Sequence, residues 1–138
     1  MKRLIPLLVL SLLVCACSRP CSYEQFVKAA EGPVYGFELE MADSLGYDID
    51  FYTRVDISPL KLRKLADVGM NIVWTSPSGQ SYAETVYLPL CGQKGERLPY
   101  RKGLAVPESG TWRLEVEVEG QPGGFCGLGI ILQENGTR

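Results

Sequence analysis

The feature that most restricts the fold is a strict alternation of apolar and polar side chains in two segments. Residues 112–119 (WRLEVEVE) place a tryptophan and three aliphatic residues on one face, and residues 47–56 (YDIDFYTRVD) repeat the pattern over ten positions. A period of two puts successive side chains on opposite faces of a strand, so both segments are predicted to be half-buried antiparallel strands. Fifteen glycines and nine prolines separate these and other short apolar segments.

The other segments complete the prediction of an all-β domain, a small antiparallel β-sandwich of jelly-roll-like form with one short helical turn. We count six or seven strands, and the further segments that carry this count are residues 35–41, 70–75, 82–88 and 126–132. The turn signal at residues 76–79 (SPSG) makes 70–75 and 82–88 a predicted hairpin.

Three less regular segments are also assigned. Ser58 and Pro59 are typical of a helix start, and Gly69 is a suitable end for that helix. Residues 22–30 are predicted to form a short helical turn. Residues 90–103 are predicted to be the longest loop, followed by a short strand at residues 104–106.

The N-terminus has the form of a bacterial lipoprotein signal. Lys2 and Arg3 precede an apolar segment, residues 4–14, that is too short for a permanent span. Residues 14–17 (VCAC) resemble a lipobox, and Cys17 fits the lipidation position because the small Ala16 precedes it. A diacylglycerol thioether plus an N-linked palmitate or similar chain exceeds the two hydrophobic signals that stable anchoring needs. The alternative is an ordinary secretory signal with a chance cysteine.

The expected organisation follows from this signal. It is a signal peptide at residues 1–16, a lipidated N-terminus and tether at residues 17–32, and a β-sandwich domain at residues 33–138. The expected location is the cell envelope, lipid-anchored at the outer membrane. Sixteen acidic residues outnumber fourteen basic ones, two of which lie in the signal, so no nucleic acid partner is expected.

The chain contains no histidine. This removes the usual general base, the Ser-His and Cys-His nucleophile pairs and most zinc sites. We therefore expect no enzyme, no catalytic residues, no cofactor and no metal. A hydrolytic pair of carboxylates would have to come from a set that mostly projects outward from predicted strands, namely Glu38, Glu40, Asp48, Asp50 and Glu84.

Five cysteines are present. Cys15 is lost with the signal and Cys17 takes the lipid, which leaves Cys21, Cys91 and Cys126. At most one internal disulfide forms among these three. The sequence leaves all three pairings open and favours Cys91 with Cys126, because both border predicted strands.

Several sets of side chains are candidates for binding. An aromatic sugar-stacking platform on a sheet face is one, and its candidate members are Tyr52, Trp74, Tyr82, Tyr87 and Tyr100. The competing interpretation is that Trp74 and Trp112 are core residues and that the tyrosines are half-buried strand residues.

The other candidate binding or modification sites consist of charged or hydroxyl side chains. A basic set in the predicted long loop would contact an acidic partner or lipid headgroups, or would only keep the loop soluble; it comprises Lys94, Arg97, Arg101 and Lys102. An acidic set would surround calcium, or would form a solvated outer face; it comprises Asp43, Asp48, Asp50 and Asp56. Ser44 lies in an Asp-Ser-Leu triplet that resembles an O-glycosylation site in a predicted exposed turn.

The order of these segments resembles the gliding-motility-associated lipoprotein GldH family over about residues 33–132. The matching pieces are the lipobox and the segments 35–39 (YGFEL), 43–44 (DS), 47–54 (YDIDFYTR), 71–74 (NIVW), 76–79 (SPSG), 84–90 (ETVYLPL), 110–112 (GTW) and 127–130 (GLGI). One departure is the loop after residue 90, where the family has a tryptophan-glycine element and this chain has no tryptophan.

The resemblance implies a component of a gliding-like or secretion-like envelope complex. The predicted function is a membrane-anchored lipoprotein with a non-catalytic β-sandwich that binds envelope protein partners. The alternative is a surface carbohydrate-binding module with a glycan as its partner. Aromatic residues exposed in one row on a sheet face would favour the module, and an apolar patch at an unpaired sheet edge would favour the complex component.

Overall fold

The computed structural model describes residues 22–29, 33–90 and 97–135. In these ranges the chain forms eight strands and one short helix. The strands are β1 (Ser22–Lys28), β2 (Val34–Met41), β3 (Tyr47–Val55), β4 (Val68–Thr75), β5 (Ser81–Leu88), β6 (Leu98–Leu104), β7 (Gly110–Val118) and β8 (Phe125–Glu134). The helix α1 (Pro59–Leu62) lies between β3 and β4.

The strands make two four-stranded antiparallel sheets. Their orders are β1-β8-β3-β6 and β2-β7-β4-β5. The pairs β1–β8, β2–β7, β3–β6 and β4–β5 are those of one long hairpin whose successive strand pairs alternate between the sheets, which is a jelly roll. The predicted all-β sandwich is therefore confirmed. In the described part of the chain the sheets do not close into a barrel, so β5 and β6 are both edge strands on one side of the sandwich.

The core lies between the two sheets and consists of the inward residues of the alternating strands. Each strand that the alternation predicted contributes side chains that are fully buried, and burial of such a side chain stabilises the fold by about 1.5–3 kcal/mol relative to exposure. The most deeply buried are Leu39, Ile49, Phe51, Met70, Ile72, Leu114, Val116, Leu128 and Ile130.

The predicted hairpin is confirmed as β4 and β5. The amide of Gly79 donates to the carbonyl of Ser76 at 2.9 Å, and the amide of Ser76 donates to the carbonyl of Gln80 at 2.8 Å. Gly79 has φ +94°, a conformation that favours glycine. The sequence at residues 76–79 therefore forms the turn because its glycine can adopt this backbone conformation.

The sandwich begins earlier than the sequence predicts. Residues 22–30 were expected in a helical turn of the tether, and the domain was expected from residue 33. Both expectations are wrong for Ser22–Lys28, which is β1 and pairs with β8 from Ser22 opposite Gln133 to Lys28 opposite Gly127. Its residues are exposed or half-buried with no period of two. The strand conformation of β1 is therefore supplied by its partner and not by its own pattern.

Side chains also attach β1, on the outer face of its sheet. The rings of Phe26 and Tyr52 lie 5.8 Å apart at 22°, and the guanidinium of Arg54 lies 5.0 Å from the centre of the Phe26 ring. The Tyr52 ring covers Gly129 and the Phe26 ring covers Gly127, where an added Cβ would overlap them. We call these five residues the outer aromatic cluster. Aromatic rings laid over glycines in this way cover backbone that would otherwise be bare.

The predicted loop at 90–103 is also wrong in part, because Leu98–Leu104 forms β6. Among the described strands it pairs only with β3, and the register shifts twice, between Tyr47 and Ile49 and between Ile49 and Asp50. Bulged edge strands accept a proline and lose a regular alternation. The predicted strand at 104–106 contributes only its first residue to β6, and the described ranges contain eight strands rather than the predicted six or seven.

The predicted short helix is confirmed, although it is shorter than expected. Ser58 stands at the N-cap in an extended conformation without a side-chain capping hydrogen bond, and Pro59 is the first helical residue. The helix ends at Leu62, and Gly69 lies in β4 instead of ending the helix. A helix of four residues is little more than one turn, so the spacing of its apolar residues could not show where it ends.

Candidate functional site

A cleft opens between the edge strands β5 and β6, where the two sheets separate. Its volume is about 350 Å³. Most of its walls are apolar, and the residues that decide its character are Trp74, Tyr82, Glu84, Arg101, Val106 and Trp112. We call this recess the aromatic cleft.

The aromatic walls follow from strand alternation and hairpin register. Trp74 of β4 lies opposite Tyr82 of β5 in the hairpin, so both side chains point between the sheets. The ring of Trp112 from β7 lies 6.1 Å from Trp74 at 74° and 6.5 Å from Tyr82 at 29°. Trp74 is 8% and Trp112 3% exposed, whereas Tyr82 is 48% exposed. Tyr82 therefore offers the accessible ring, and the tryptophans back it.

Tyr100 joins the two sheets next to the cleft, where it packs against the wall residue Trp74. It comes from β6, and its ring lies 5.0 Å from Phe51 and 6.3 Å from Trp74, nearly parallel to the latter. Nε1 of Trp74 donates a hydrogen bond to the Tyr100 hydroxyl at 2.9 Å. That hydroxyl donates in turn to Oε1 of Glu84. The buried indole N–H thus has a hydrogen-bond acceptor. A chain of hydrogen bonds runs from Trp74 in the core to Glu84 at the mouth of the cleft, which we call its rim.

An ion pair stands at the rim. Nη2 of Arg101 donates to the same Glu84 oxygen, and Nη1 donates to the carbonyl of Tyr100 at 3.2 Å. The guanidinium also lies 4.3 Å from the centre of the Tyr100 ring, within the range of a cation–π contact. The side chains of Arg101 and Glu84 are 38% and 32% exposed. The pair is therefore fixed in position but still reachable by a ligand.

The pKa values of these groups reflect that packing. Burial and the hydrogen bond to Glu84 raise the pKa of Tyr100 to about 12. Burial alone would raise the pKa of Glu84, but the hydrogen bonds from Tyr100 and Arg101, together with the Arg101 charge, hold that pKa below its ordinary value. The hydrogen bond to Glu84 raises the pKa of Arg101. At neutral pH the rim therefore carries one positive and one negative charge.

The remaining wall is the segment at residues 104–107, and Glu108, the next residue in the chain, holds it in place. The Glu108 carboxylate accepts from the Ser78 amide at 2.6 Å and from the Ser78 hydroxyl at 2.8 Å. Nε1 of Trp112 donates to the Glu108 carbonyl at 3.1 Å. The β4–β5 turn and the indole thus hold this segment, and Val106 within it is buried.

The predicted aromatic platform is only partly assembled. Trp74 and Tyr82 line the cleft and Tyr100 packs against Trp74, but Tyr87 lies on the outer face of β5 and Tyr52 belongs to the outer aromatic cluster. Tyr82 and Tyr87 are five residues apart in one strand, an odd number, so they face opposite sides. The candidate tyrosines and Trp74 therefore do not form the single row on a sheet face that would favour a carbohydrate-binding module, whereas the interpretation that Trp74 and Trp112 are core residues is confirmed.

The acidic candidates are dispersed. Of the five carboxylates considered for hydrolysis, only Glu84 reaches the cleft, because the others lie on the outer faces of β2 and β3. Oδ1 of Asp48 accepts from the Gly103 amide at 2.8 Å and from Nδ2 of Asn135 at 3.3 Å, so it braces β6. In the described ranges no three His, Cys, Asp or Glu side chains group so as to hold a metal ion.

The basic candidates do not act as one set. Arg101 is in the ion pair of the cleft, while Arg97 and Lys102 are exposed beside it. Lys94 lies outside the described residues. The sequence did not predict the pairing of Arg101 with Glu84, although one signal was available: alternation from the buried Leu88 back through Val86 puts the acid Glu84 on the inward face of β5.

Only some of the residues predicted to carry a lipid, a disulfide or a glycan lie in the described ranges. Cys17 and Cys91 lie outside the described residues. Cys126 is exposed on β8, and its thiol donates to the Gly124 carbonyl at 3.4 Å. Ser44 is exposed in the turn between β2 and β3, as predicted. Within the described ranges, no helix combines the length and apolar character that crossing a membrane requires.

Comparison with known proteins gives no family. No protein-family model and no curated protein matches the chain. Among solved structures, the chain is similar to a family two carbohydrate esterase from Cellvibrio japonicus, with a TM-score of 0.34 and 8% sequence identity. The match covers 86% of this chain and 36% of that chain, so this chain spans little more than a third of the length of the esterase.

Proposed function

We propose that this chain is a lipid-anchored protein of the bacterial cell envelope whose β-sandwich is a non-catalytic binding domain within an envelope complex. The aromatic cleft is the observation that carries the binding role. It is a largely apolar recess with a few polar groups held in fixed positions, and such recesses are the usual ligand sites of proteins. It also lies between two edge strands, where a partner has access from outside the sheets.

Binding without chemistry fits the side chains present. Glu84 is the single carboxylate among the described residues of the cleft, and the hydrogen bonds from Tyr100 and Arg101 favour its ionised form. A general acid would instead have to keep its proton near neutral pH. The chain also has no histidine to act as a base.

Participation in a complex is supported by the two edges that flank the cleft. In the described part of the chain β5 pairs only with β4, and β6 pairs only with β3. The outward backbone groups of such strands are available to a further strand or loop from a partner protein. The resemblance to the GldH family supports a gliding-like or secretion-like setting.

The anchor is tested by two cysteine substitutions in the native host. We expect Cys17→Ala to abolish incorporation of labelled palmitate and to release the protein from the membrane fraction. Cys15→Ala is the matched control, since it removes a cysteine two positions away, and it should leave both unchanged. Membrane association that survives Cys17→Ala would contradict the anchor.

The cleft is tested by replacing Tyr82 with the photoreactive residue p-benzoylphenylalanine and irradiating intact envelopes. Tyr87 is the matched control position, because it lies on the same strand, faces the opposite side and is more exposed, at 68%. We expect a discrete adduct from position 82 and none, or a different one, from position 87. Identical products from both positions would contradict a binding role for the cleft.

The second candidate function, a surface carbohydrate-binding module, is favoured by one observation. The exposed ring of Tyr82 and the charged pair of the rim occupy a single recess, so ring stacking and hydrogen bonding are available together. A glycan role therefore depends on the cleft and not on a sheet face.

A further inference from the structure

We infer that the group that enters the aromatic cleft is an uncharged saccharide ring. This inference rests on the proposed binding role of the cleft and adds the chemical class of its ligand. Three features of the cleft carry it: the accessible ring of Tyr82, the fixed charged pair at the rim, and the neutrality of that pair.

The Tyr82 ring provides a stacking surface. One of its faces is backed by Trp112 at 6.5 Å, with the two rings 29° apart, and 48% of the residue remains exposed. The Tyr82 hydroxyl donates to Gln80 at 3.0 Å, which fixes the orientation of the ring. An aromatic face attracts the slightly positive C–H groups of a pyranose ring, as it attracts the positive edge of another aromatic ring.

The rim provides donors and an acceptor side by side. Both hydrogen bonds to Glu84 reach Oε1, and among the described residues Oε2 has no hydrogen-bond partner. Arg101 carries five N–H donors, and its described bonds use Nη1 and Nη2. A hydroxyl both donates and accepts, so two neighbouring sugar hydroxyls would bond to Oε2 of Glu84 and to the guanidinium of Arg101.

The paired charges decide between ligand classes. An anionic ligand would meet Glu84 and a cationic one would meet Arg101, so either would have to disrupt the ion pair. A purely apolar side chain would cover Oε2 and the remaining guanidinium N–H groups, and a covered polar group without a partner is unfavourable. A neutral polyol with one apolar face avoids both penalties. The volume of about 350 Å³ is near the lower end of ligand sites and suits one or two sugar rings.

Tryptophan fluorescence gives a direct test, because the chain has two tryptophans and both line the cleft. The full-length protein in detergent is titrated with methyl glucoside, methyl galactoside, methyl mannoside and N-acetylglucosamine. We expect a saturable change with at least one of them, with a dissociation constant in the micromolar to millimolar range. No saturable change with any of the four would overturn the inference.

Variants of Tyr82 assign any binding to the cleft. Tyr82→Ala should weaken binding by about tenfold or more, and Tyr82→Phe, which keeps the ring, should retain it. Tyr87→Ala is the matched control on the opposite face and should bind as the wild type does. Binding that Tyr82→Ala leaves unchanged would place the saccharide elsewhere and overturn the inference.

Charge selectivity gives a second, independent readout. Wild-type protein should prefer N-acetylglucosamine over both glucosamine, a cation, and glucuronate, an anion. Arg101→Met leaves Glu84 without its counter-charge and should shift the preference towards glucosamine. Glu84→Gln should shift it towards glucuronate. Equal preference for charged and neutral sugars in the wild type would contradict the role given to the pair.

The source of the saccharide is separated with the adduct formed from position 82. If the sugar is carried by a glycoprotein, treating the envelopes with protease before irradiation should abolish the adduct, and if it belongs to a polysaccharide the adduct should persist. An unglycosylated protein in that adduct, with no sugar binding, would overturn this inference and leave the proposed binding domain standing. Failure of both the adduct and the titration would remove both.

Discussion

The molecule contains two aromatic clusters that use nearly the same side chains and differ in what they leave open. In the outer aromatic cluster the rings of Phe26 and Tyr52 stack at 5.8 Å and an arginine lies over one of them at 5.0 Å. In the aromatic cleft Trp74 and Tyr100 stack at 6.3 Å and Arg101 lies over Tyr100 at 4.3 Å. In the cleft the tyrosine hydroxyl is hydrogen-bonded to Glu84, whereas in the outer cluster burial and the neighbouring Glu24 raise the pKa of Tyr52.

What differs is the backbone opposite the rings. The outer rings lie flat on Gly127 and Gly129 of a strand that is paired on both sides, so no space remains beneath them. The cleft rings stand between two edge strands of different sheets, and a recess of about 350 Å³ remains. Aromatic composition therefore does not make a site by itself; the strand pairing around the rings decides whether they complete the fold or receive a ligand.

The sharpest way to break the outer cluster alone is Gly127→Ala. An added Cβ would overlap both the carbonyl of Val27 and the Phe26 ring, at a glycine with φ +155°. Because the carbonyl belongs to β1, relief requires β1 to move away from β8, and we expect the free energy of unfolding to fall by about 2–3 kcal/mol in urea denaturation. The control is Gly36→Ala on β2, where an added Cβ meets nothing within 4 Å and no comparable loss is expected.

The same variant should leave the cleft unaffected. Fluorescence emission from the two tryptophans of folded Gly127→Ala protein should match that of the wild type. A large spectral change would show that the two clusters are coupled and would contradict their separation.

The matching perturbation of the cleft is Tyr100→Phe. It keeps the ring but removes the acceptor of the Trp74 indole and the donor to Glu84. Trp74 is 8% exposed, so its N–H would be left buried without this partner, and we expect a loss of about 1–2 kcal/mol in unfolding free energy. Unchanged stability, measured by urea denaturation, would mean that water replaces the hydroxyl and that the cleft is wetter than its walls indicate.

The sequence predicted the four strands that are paired on both sides and the edge strands β2 and β5, and it missed the edge strands β1 and β6. β3 and β7 bury one face against the core, and that burial requires the alternation that was visible in the sequence. β1 and β6 are edge strands, and the long-range pairing that makes them strands leaves no regular pattern in their own residues.

The candidate site was predictable in its parts and not in its assembly. Trp74, Tyr82 and Tyr100 were selected as aromatic candidates, and the observed register of the predicted hairpin places the first two opposite each other. The pair of Glu84 and Arg101 was missed, since it joins edge strands of different sheets and β6 was taken for a loop. Only the stacking of the two sheets brings these groups together.

Equivalent truncations should separate the two clusters by function. Tyr52→Ala uncovers Gly129 and removes the ring that packs on Phe26, so we expect a loss of about 1 kcal/mol or more in stability. Tyr82→Ala removes a half-exposed ring and should lower stability by less, about 0.5 kcal/mol. Parallel urea denaturation of the two variants measures the difference. A larger loss for Tyr82→Ala would reverse the assignment of which cluster completes the fold.

The smallest expected effect is on the dependence of stability on pH. The pKa of Glu84 is lower in the folded protein than its ordinary value of 4.5, because the bonds from Tyr100 and Arg101 and the Arg101 charge outweigh the effect of burial. A carboxyl with a depressed folded pKa stabilises the fold above its unfolded pKa, and this contribution is lost as the pH falls through the folded value. Glu84→Gln should therefore lose less stability than the wild type between about pH 6 and pH 3.

The control for this effect is Glu115→Gln, which removes one carboxylate from the exposed outer face of β7. Denaturation midpoints of the three proteins across the acid range provide the comparison. If Glu115→Gln flattens the profile as much as Glu84→Gln does, the acid sensitivity belongs to general charge and not to the rim pair. If only Glu84→Gln flattens it, the pair that fixes the rim of the cleft also contributes to the fold. In that case both clusters stabilise the fold, and they differ in how much they contribute. The cleft would hold its two sheets together and still leave the ring of Tyr82 free to bind a ligand.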